Sequence, residues 1–260
     1  MTDFMFRKNL LITFAAFLLL FIVWKVLSVL MDSVIILPSP EQTISEAFRL
    51  MRTANFWHAL AATLVRGFTG FALSFILGLV IGFPAGKYAL FMQFIKPYIL
   101  IIRSTPVLAI ILIALIWFPA DGVPVFVTVL MAFPVILQNV ATGIQGTDIK
   151  LIEMAKVYRV GRRRLLFNLY LPSLLPYLRS GASSAMGLAW RVVIAAEILS
   201  QPLWGIGTGM QEARIRLETP RVFAWTLAAL ALSWLSDTAF SRLFPQDSHT
   251  KRRAAGSGSF

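Results

Sequence analysis

Cysteine is absent from this 260-residue chain, which excludes disulfide bonds and thiol chemistry. Charged residues are also scarce: they make up 14% of the chain, whereas a soluble domain carries about a quarter. Hydrophobic residues reach 58%. The interior of a water-soluble fold of this size could not hold so much apolar surface, so the composition excludes an ordinary soluble domain.

Long apolar runs take the place of the missing charge. Residues 10–30 contain one charged residue, Lys25, and residues 99–120 contain only Arg103. About 20 consecutive apolar residues are enough to cross the hydrocarbon core of a bilayer as a helix. The sequence therefore predicts an all-α membrane protein with about six transmembrane helices.

The predicted spans form a single transmembrane domain over residues 1–243, with a core of about 57–243. The spans are expected at about 10–31, 58–86, 97–118, 123–144, 174–200 and 220–241. A polar loop covers about 145–172. Residues 244–260 are small, polar and basic, and we expect them to form a disordered cytoplasmic tail.

The net charge of +12 is distributed unevenly between the predicted loops. Basic residues concentrate before the first span, between the second and third, in the central loop and in the tail. The central loop alone carries Lys150, Lys156, Arg159, Arg162, Arg163 and Arg164. Cytoplasmic loops are enriched in Lys and Arg, so both termini are expected in the cytoplasm. Basic residues are not clustered with stacking aromatics, which argues against nucleic-acid binding.

The N-terminal segment ends at a helix-breaking sequence. It follows a short basic start, as a signal peptide does, but it is longer than a signal-peptide core and lacks a small-residue cleavage site before Met31. We therefore expect a retained first helix. The prolines of the Leu-Pro-Ser-Pro sequence at 37–40 cannot lie inside a regular helix, and residues 41–52 are predicted to form a short amphipathic helix on the external membrane surface.

Small residues recur every fourth position in two spans. The second span carries Gly70, Ser74, Gly78, Gly82 and Gly86, and the fifth carries Gly181, Ala185 and Ala189. This spacing puts the small residues on one helix face, where another backbone can approach closely. The neighbour can be another helix of the same chain or a helix of a second copy.

Two enzymatic alternatives fail on specific residues. The Gly-Ala-Ser-Ser-Ala stretch at 181–185 resembles a serine nucleophile site, but His58 lies at an outer helix end and His249 in the tail, so no histidine base is available inside the membrane. Residues 82–88 resemble a phosphate-binding loop, but one residue is missing between the glycines and Tyr88 stands where Ser or Thr would bind magnesium. The chain is therefore not predicted to be an enzyme.

The polar central loop is predicted to form a helical elbow. Asp148 can cap a helix over 149–159, and Gly161 can end that helix because glycine adopts the left-handed conformation at low cost. A second basic helix over 162–170 is expected to end at Pro172.

The sequence of this loop resembles a known motif. Glu153-Met154-Ala155, followed at the same distance by Leu171-Pro172, resembles the EAA motif of binding-protein-dependent ABC transporter permeases. Met154 replaces the first alanine of the motif and Leu169 its isoleucine. Arg159 holds the position of the motif's glycine, and the nearest glycine is displaced to Gly161.

Other segments are similar to the nitrate/sulfonate/taurine branch of these permeases. They are the Leu-Pro-Ser-Pro sequence at 37–40, Thr63 with Arg66 and the glycines of the second span, and the Arg-Ser-Thr-Pro sequence at 103–106 with Trp117. The resemblance implies the type I ABC importer permease fold and a multi-pass location in the inner membrane of a bacterial cell. It also implies a second permease chain, expected to be identical, two copies of a cytoplasmic ATPase that bind ATP and magnesium, and a periplasmic or lipid-anchored solute-binding protein. This chain itself would bind no cofactor.

The resemblance also implies roles for residues of the loop. Glu153 would pair with a basic group of the ATPase, Ala155 would permit close approach, and Gly161 with Pro172 would fix the elbow; Leu171 belongs to the same motif. An exposed ion pair contributes little energy, so the rigid seating of the whole helix must transmit force.

Three ionisable residues inside the spans are candidates for the translocation path. Such residues are costly in a bilayer and tend to be functional. Arg191 lies deep in the fifth span, whereas Arg103 could extend its guanidinium to the cytoplasmic surface. Glu197 lies on a different helix face from Arg191. We hypothesise that Arg191, with Arg103, lines the path and favours anions; the alternative is an arginine bonded to backbone carbonyls.

A secondary transporter that works without an ATPase is the remaining functional alternative. Such proteins are typically built from inverted repeats around broken helices. No convincing repeat is found here, and the cytoplasmic elbow would have no role in such a protein. The sequence alone does not identify the solute.

Overall fold

The computed structural model describes the backbone of residues 2–243 and their side chains, apart from those of residues 2–11, 162, 240, 241 and 243. The predicted tail at 244–260 lies outside this range. The described part is helical and contains no strand. Its helices are α1 (Thr2–Met31), α2 (Pro40–Met51), α3 (Ala54–Lys87), α4 (Ala89–Ser104), α5 (Val107–Trp117), α6 (Gly122–Gln145), α7 (Ile149–Val157), α8 (Arg162–Leu165), α9 (Leu171–Ser200), α10 (Ile206–Ile215) and α11 (Thr219–Leu243).

Five helical segments of the described chain are long and apolar enough to cross a membrane. They cover residues 12–31, 54–87, 122–145, 163–200 and 219–239. These segments agree with the first, second, fourth, fifth and sixth predicted spans. The all-α membrane fold predicted from the sequence is confirmed.

The third predicted span is not the straight helix over 97–118 that the sequence suggested. It begins earlier, at Ala89, and consists of α4 and α5, which meet at an angle of 98°. The cause is Pro106, which has no N–H and forces the preceding residue out of the helical region. Thr105 is extended (φ −74°, ψ 129°), and its hydroxyl donates to the carbonyl of Ile101 at 2.7 Å.

The glycine stripe of α3 packs against α6. A Cβ atom added at Gly82 would lie 2.8 Å from the Cβ of Val140, and one added at Gly86 would lie 2.7 Å from the Cβ of Ile144. Successive glycines of α3 meet successive residues of α6 in the same chain order, so the two helices run parallel. The sequence left open whether this stripe packs against a helix of the same chain or of a second copy. The structure shows a helix of the same chain.

Helix α9 packs antiparallel on the other side of α6. A Cβ added at Gly181 would lie 2.7 Å from the Cβ of Asn139, and Gly143 of α6 faces Leu174. The small residues Ala185 and Ala189 of α9 are fully buried. Close approach of three backbones therefore makes α3, α6 and α9 the centre of the bundle, with the remaining spans around them.

Helix α1 stands at the edge of the bundle, and its span has no residue buried by the rest of the chain. Its outer half is bound to the following segment: Trp24 Nε1 donates to the carbonyl of Pro38 at 3.0 Å, and Lys25 Nζ lies 2.8 Å from the carboxylate of Glu41. Ser39 caps α2 in a capping box with Gln42, which explains why the helix starts at Pro40. The predicted short amphipathic helix is confirmed.

Candidate functional site

The central loop is the helical elbow that the sequence predicted. Asp148 accepts a hydrogen bond from the backbone N–H of Lys150 at 2.8 Å and caps α7. Ile152 of α7 and Leu165 of α8 are half-buried and pack against a cluster of α6 and α9 side chains. Glu153 is exposed and Ala155 is half-buried. The elbow is therefore attached to the bundle by apolar contacts while its acidic residue stays accessible.

The turn that ends α7 differs from the prediction. Gly161 was expected in the left-handed conformation, but Arg159 adopts it instead, with φ 49°. The N–H of Val160 donates to the carbonyl of Ala155 at 2.9 Å, and the N–H of Arg159 donates to the carbonyl of Lys156 at 3.0 Å. These two hydrogen bonds form a Schellman motif. This turn requires left-handed backbone at position 159, where the EAA motif places glycine, and Gly161 has no atom within 4 Å of an added Cβ.

The end of the elbow also differs from the prediction. Pro172 was expected to end the second helix, but α8 continues through a π-helical turn, Leu166–Tyr170, into α9 without a break. The N–H of Leu171 reaches back to the carbonyl of Leu166, which widens the helix. Pro172 follows this π-helical turn, so the residue without an N–H lies where the helix is widened and not at its end. The second helix of the elbow and the longest span of the bundle therefore form one continuous helical rod.

A buried charge cluster lies at the opposite end of α9. Glu197 has no exposed surface, and its carboxylate accepts hydrogen bonds from three groups: Thr63 Oγ1 at 2.9 Å, Arg66 Nη1 at 2.7 Å and the N–H of Gly207 at 3.0 Å. Thr63 in turn accepts from the N–H of Ile206 at 2.9 Å. The carboxylate therefore joins α3 and α9 to the N-terminus of α10.

Arg66 extends this cluster to the corner between α5 and α6. Its Nη1 also donates to the carbonyl of Trp204 at 2.7 Å, and its Nη2 contacts the carboxylate of Asp121. Sequence reasoning placed Glu197 among the path residues, but it is enclosed here and holds helices together. Arg66 and Thr63 were noted in the sequence only for their similarity to the permease family, and no role was predicted for them. The signal that could have identified the cluster is Arg66, a basic residue inside an otherwise apolar span.

One face of α9 is polar and is not covered by the rest of the chain. Ser180, Ser184 and Arg191 lie on this face and are exposed, and Gly187 lies between them. The opposite face is fully buried, as Ala189 shows. Arg191 is nine residues before the end of α9 at Ser200, about 14 Å along the axis, which is near the middle of a bilayer core. We call this surface the polar face of α9.

Arg103, the third candidate for the path, lies elsewhere. It is exposed in the last turn of α4, immediately before the bend at Pro106. Among the described residues, no hydrogen bond or ion pair joins it to Arg191. Arg103 and Arg191 therefore belong to different helices, α4 and α9.

Comparison with known proteins supplies the family. The model of the family described as "Binding-protein-dependent transport system inner membrane component" matches residues 70–246, which include the central loop and the polar face of α9. The chain belongs to this family of transport permeases.

Individual permeases agree with the assignment. The chain is 31% identical to the SsuC permease of Escherichia coli strain K12, named for aliphatic sulfonate transport, over 78% of each chain. It is 32% identical to the nitrate import permease NrtB of Leptolyngbya laminosa, over 59% of this chain and 54% of that one. A chain of the inward-facing MetNI methionine ABC transporter has the same fold, with a TM-score of 0.57 at 19% identity, over 72% of this chain and 92% of that one.

The family assignment confirms several expectations drawn from the sequence. The permease has the type I importer fold, is a multi-pass component of the bacterial inner membrane, and acts as the membrane-spanning subunit of an ABC importer. The resemblance to the nitrate and sulfonate branch is confirmed as well. The residues that contact ATPase and solute stay predictions.

Proposed function

We propose that two copies of this permease enclose a path for a small anion, lined by the polar face of α9. The observation that carries the proposal is Arg191: an exposed arginine at mid-membrane depth, with no hydrogen bond or ion pair among the described residues. Arginine at this depth is too costly to leave in lipid, so such side chains face a water-filled cavity or another protein chain. A second copy opposite this face supplies both.

The solute is proposed to be an inorganic or small organic oxyanion. Arg191 places a fixed positive charge on the wall, and its planar guanidinium matches the oxygens of sulfonate, nitrate or carboxylate groups. Relatives named for aliphatic sulfonate and nitrate transport support the same class. Arg103, exposed at the bend, is proposed as a second positive charge on the path.

The elbow is proposed to be the contact with a cytoplasmic ATPase that binds ATP and magnesium. Next to exposed Glu153, the side chains of Val157 and Tyr158 are 79% and 75% exposed. Apolar side chains this exposed at the tip of a polar loop indicate a protein partner. Leu171 and Pro172 are proposed to lie in the rod that carries motion from the elbow to the polar face. Gly161 lies in the turn between the two helices of the elbow, and Ala155 allows close approach.

A solute-binding protein is proposed to deliver the anion at the opposite membrane surface. The segment between α1 and α2 is proposed to form that surface together with α10, and the buried Glu197 cluster fixes the N-terminus of α10 to α3 and α9. A fixed surface of this kind suits docking of a preformed partner.

The test uses the permease co-assembled with its ATPase and binding protein in proteoliposomes. Uptake of methanesulfonate, nitrate and bicarbonate is measured with ATP on both sides of the liposome membrane. We expect Arg191→Gln to reduce anion uptake at least tenfold while the complex still assembles, and Lys87→Gln, which removes an exposed positive charge at the end of α3, to leave uptake unchanged. Unchanged uptake by Arg191→Gln in an assembled complex would remove the anion path.

The ATPase contact has its own test. Because the chain lacks cysteine, Glu153→Cys introduces a single thiol, and a photo-activated cross-linker attached to it should capture the ATPase in membranes. Leu230→Cys, on the exposed face of α11, is the matched control and should capture none. Uptake that continues in a permease without ATPase would instead support a secondary transporter.

A further inference from the structure

A carboxylate lies beside the polar face of α9. Asp237 belongs to α11 and is exposed. Its Oδ1 atom would lie 3.7 Å from a Cβ added at Gly187 of α9. Since glycine has no side chain, the surface of α9 at this turn is open to the carboxylate.

Arg191 lies one helical turn after Gly187 on the same face of α9. Residues four apart on a helix have Cβ atoms about 5–6 Å from each other. Helical side chains lean toward the N-terminus and cover the preceding turn, so the side chain of Arg191 extends over Gly187. A side chain that follows this preference brings the guanidinium of Arg191 within reach of the Asp237 carboxylate.

Neither charge has another partner in the described part of the chain. Arg191 and Asp237 take part in no hydrogen bond and no ion pair there, and both are exposed at the depth of a span. Two opposite charges within reach of each other at this depth attract more strongly than they would in water. An unpaired charge on either helix would be expensive.

We propose that Asp237 is the counter-ion of Arg191 in the empty path and that an anionic solute takes its place. This inference rests on the proposed function and adds a specificity-determining residue to it. The carboxylate neutralises the arginine when no solute is present. It also sets a minimum affinity that a solute must have for this site, because an anion must compete with Asp237 for the guanidinium.

The first measurement is a double-mutant cycle on the assembled transporter complex in detergent. Arg191→Gln and Asp237→Asn each leave one unpaired charge, and we expect each to lower the melting temperature of the permease by several degrees. The double variant removes both charges and should lose less than the sum of the two shifts, by at least about 3 °C. Glu212→Gln, which removes an exposed negative charge from α10, should not change the effect of Arg191→Gln.

The second measurement compares the rates at which an anionic and a cationic reagent label a cysteine on the polar face of α9. Ser184→Cys provides the only thiol of the chain, on the polar face of α9 near Gly187. The reagents 2-sulfonatoethyl and 2-(trimethylammonium)ethyl methanethiosulfonate have similar size and opposite charge. Asp237→Asn should raise the ratio of the anionic to the cationic labelling rate about five- to tenfold, and Arg191→Gln should lower it by a similar factor. Ser184→Cys with Glu212→Gln should keep the original ratio.

The outcomes separate this inference from the proposed function. Additive melting shifts, or a labelling ratio that does not respond to Asp237→Asn, would overturn the counter-ion pair even if the complex transports anions. Non-additive shifts together with the expected labelling ratios would support the pair even if ATP-driven uptake failed for every anion tested.

Discussion

Arg66 of α3 and Glu197 of α9 lie 2.7 Å apart, although 131 residues separate them in the sequence. The carboxylate is fully buried, and the arginine is 8% exposed. Removing two charges from water costs several kcal/mol, which is recovered only when further hydrogen bonds satisfy both groups. Thr63 and the N–H of Gly207 supply those bonds, so this pair fixes the positions of α3, α9 and α10 relative to one another.

Removing the carboxylate of this pair should destabilise the bundle. Glu197→Gln leaves Arg66 buried without its negative partner, and we expect a loss of about 3–5 kcal/mol in the free energy of unfolding. Thermal melting of the purified permease in detergent measures it. Asp121→Asn is the matched control, because the Asp121 side chain is 71% exposed and its loss should cost at most about 1 kcal/mol. Equal melting of the two variants would contradict the role of Glu197.

The packing of α3 on α6 predicts a strong size limit at the glycine stripe. Gly82→Val introduces a Cβ 2.8 Å from the Cβ of Val140, so the helices must separate, at a cost of about 1–3 kcal/mol or more. The expected result is a lower melting temperature and lower yield of folded permease. Gly161→Val is the control, because nothing lies within 4 Å of a Cβ there. A stripe that tolerates Gly82→Val would show that these backbones are not in close contact.

The left-handed residue at the end of α7 predicts a stabilising substitution. Arg159→Gly removes the strain of a side chain at φ 49°, and we expect a gain of about 0.5–1 kcal/mol after the entropy cost of glycine. Protection of the α7 amides from hydrogen exchange should increase. Arg163→Gly, placed within α8, should instead destabilise by a similar amount. Loss of protection in Arg159→Gly would contradict the observed turn.

The ion pair between α1 and α2 predicts a pH dependence. The hydrogen bond from Lys25 lowers the pKa of Glu41 from 4.5 to about 2. A carboxyl group whose pKa is lower in the folded state stabilises that state above its unfolded pKa and loses the effect as the pH falls toward its folded pKa. The difference in melting temperature between the native chain and Glu41→Gln should therefore be present at pH 7 and shrink between about pH 4.5 and 2. A difference that does not change over this range would contradict the pairing.

Most of the architecture could be predicted because its signals are local. The apolar runs at 10–30 and about 123–144 require a bilayer, and the Asp148 cap with the periodicity of residues 149–159 identifies the elbow. The elbow's turn could not be predicted, because the motif places its glycine at a position where this chain has Arg159. The third span was misjudged because apolar residues continue across Pro106 and hydropathy does not register a bend.

The residues of the candidate site also differ in how far the sequence could predict them. Arg191 was found because a charge inside an apolar span is visible in the sequence. Glu197 was found for the same reason, but its partners could not be predicted, because Thr63 and Arg66 are more than 130 residues away in the sequence. Asp237 was not singled out, because its neighbour on α9 is a glycine that carries no charge or polarity to suggest a contact.

By itself, the sequence determined that this chain spans a lipid membrane, where five of its spans lie and which loop forms the elbow, because these depend on hydrophobicity, charge and helix capping within short segments. Only the tertiary structure decided which charges are enclosed and which are exposed. That outcome depends on how closely α3, α6 and α9 approach one another, and the close approach of backbones brings distant residues together in ways that no local pattern records.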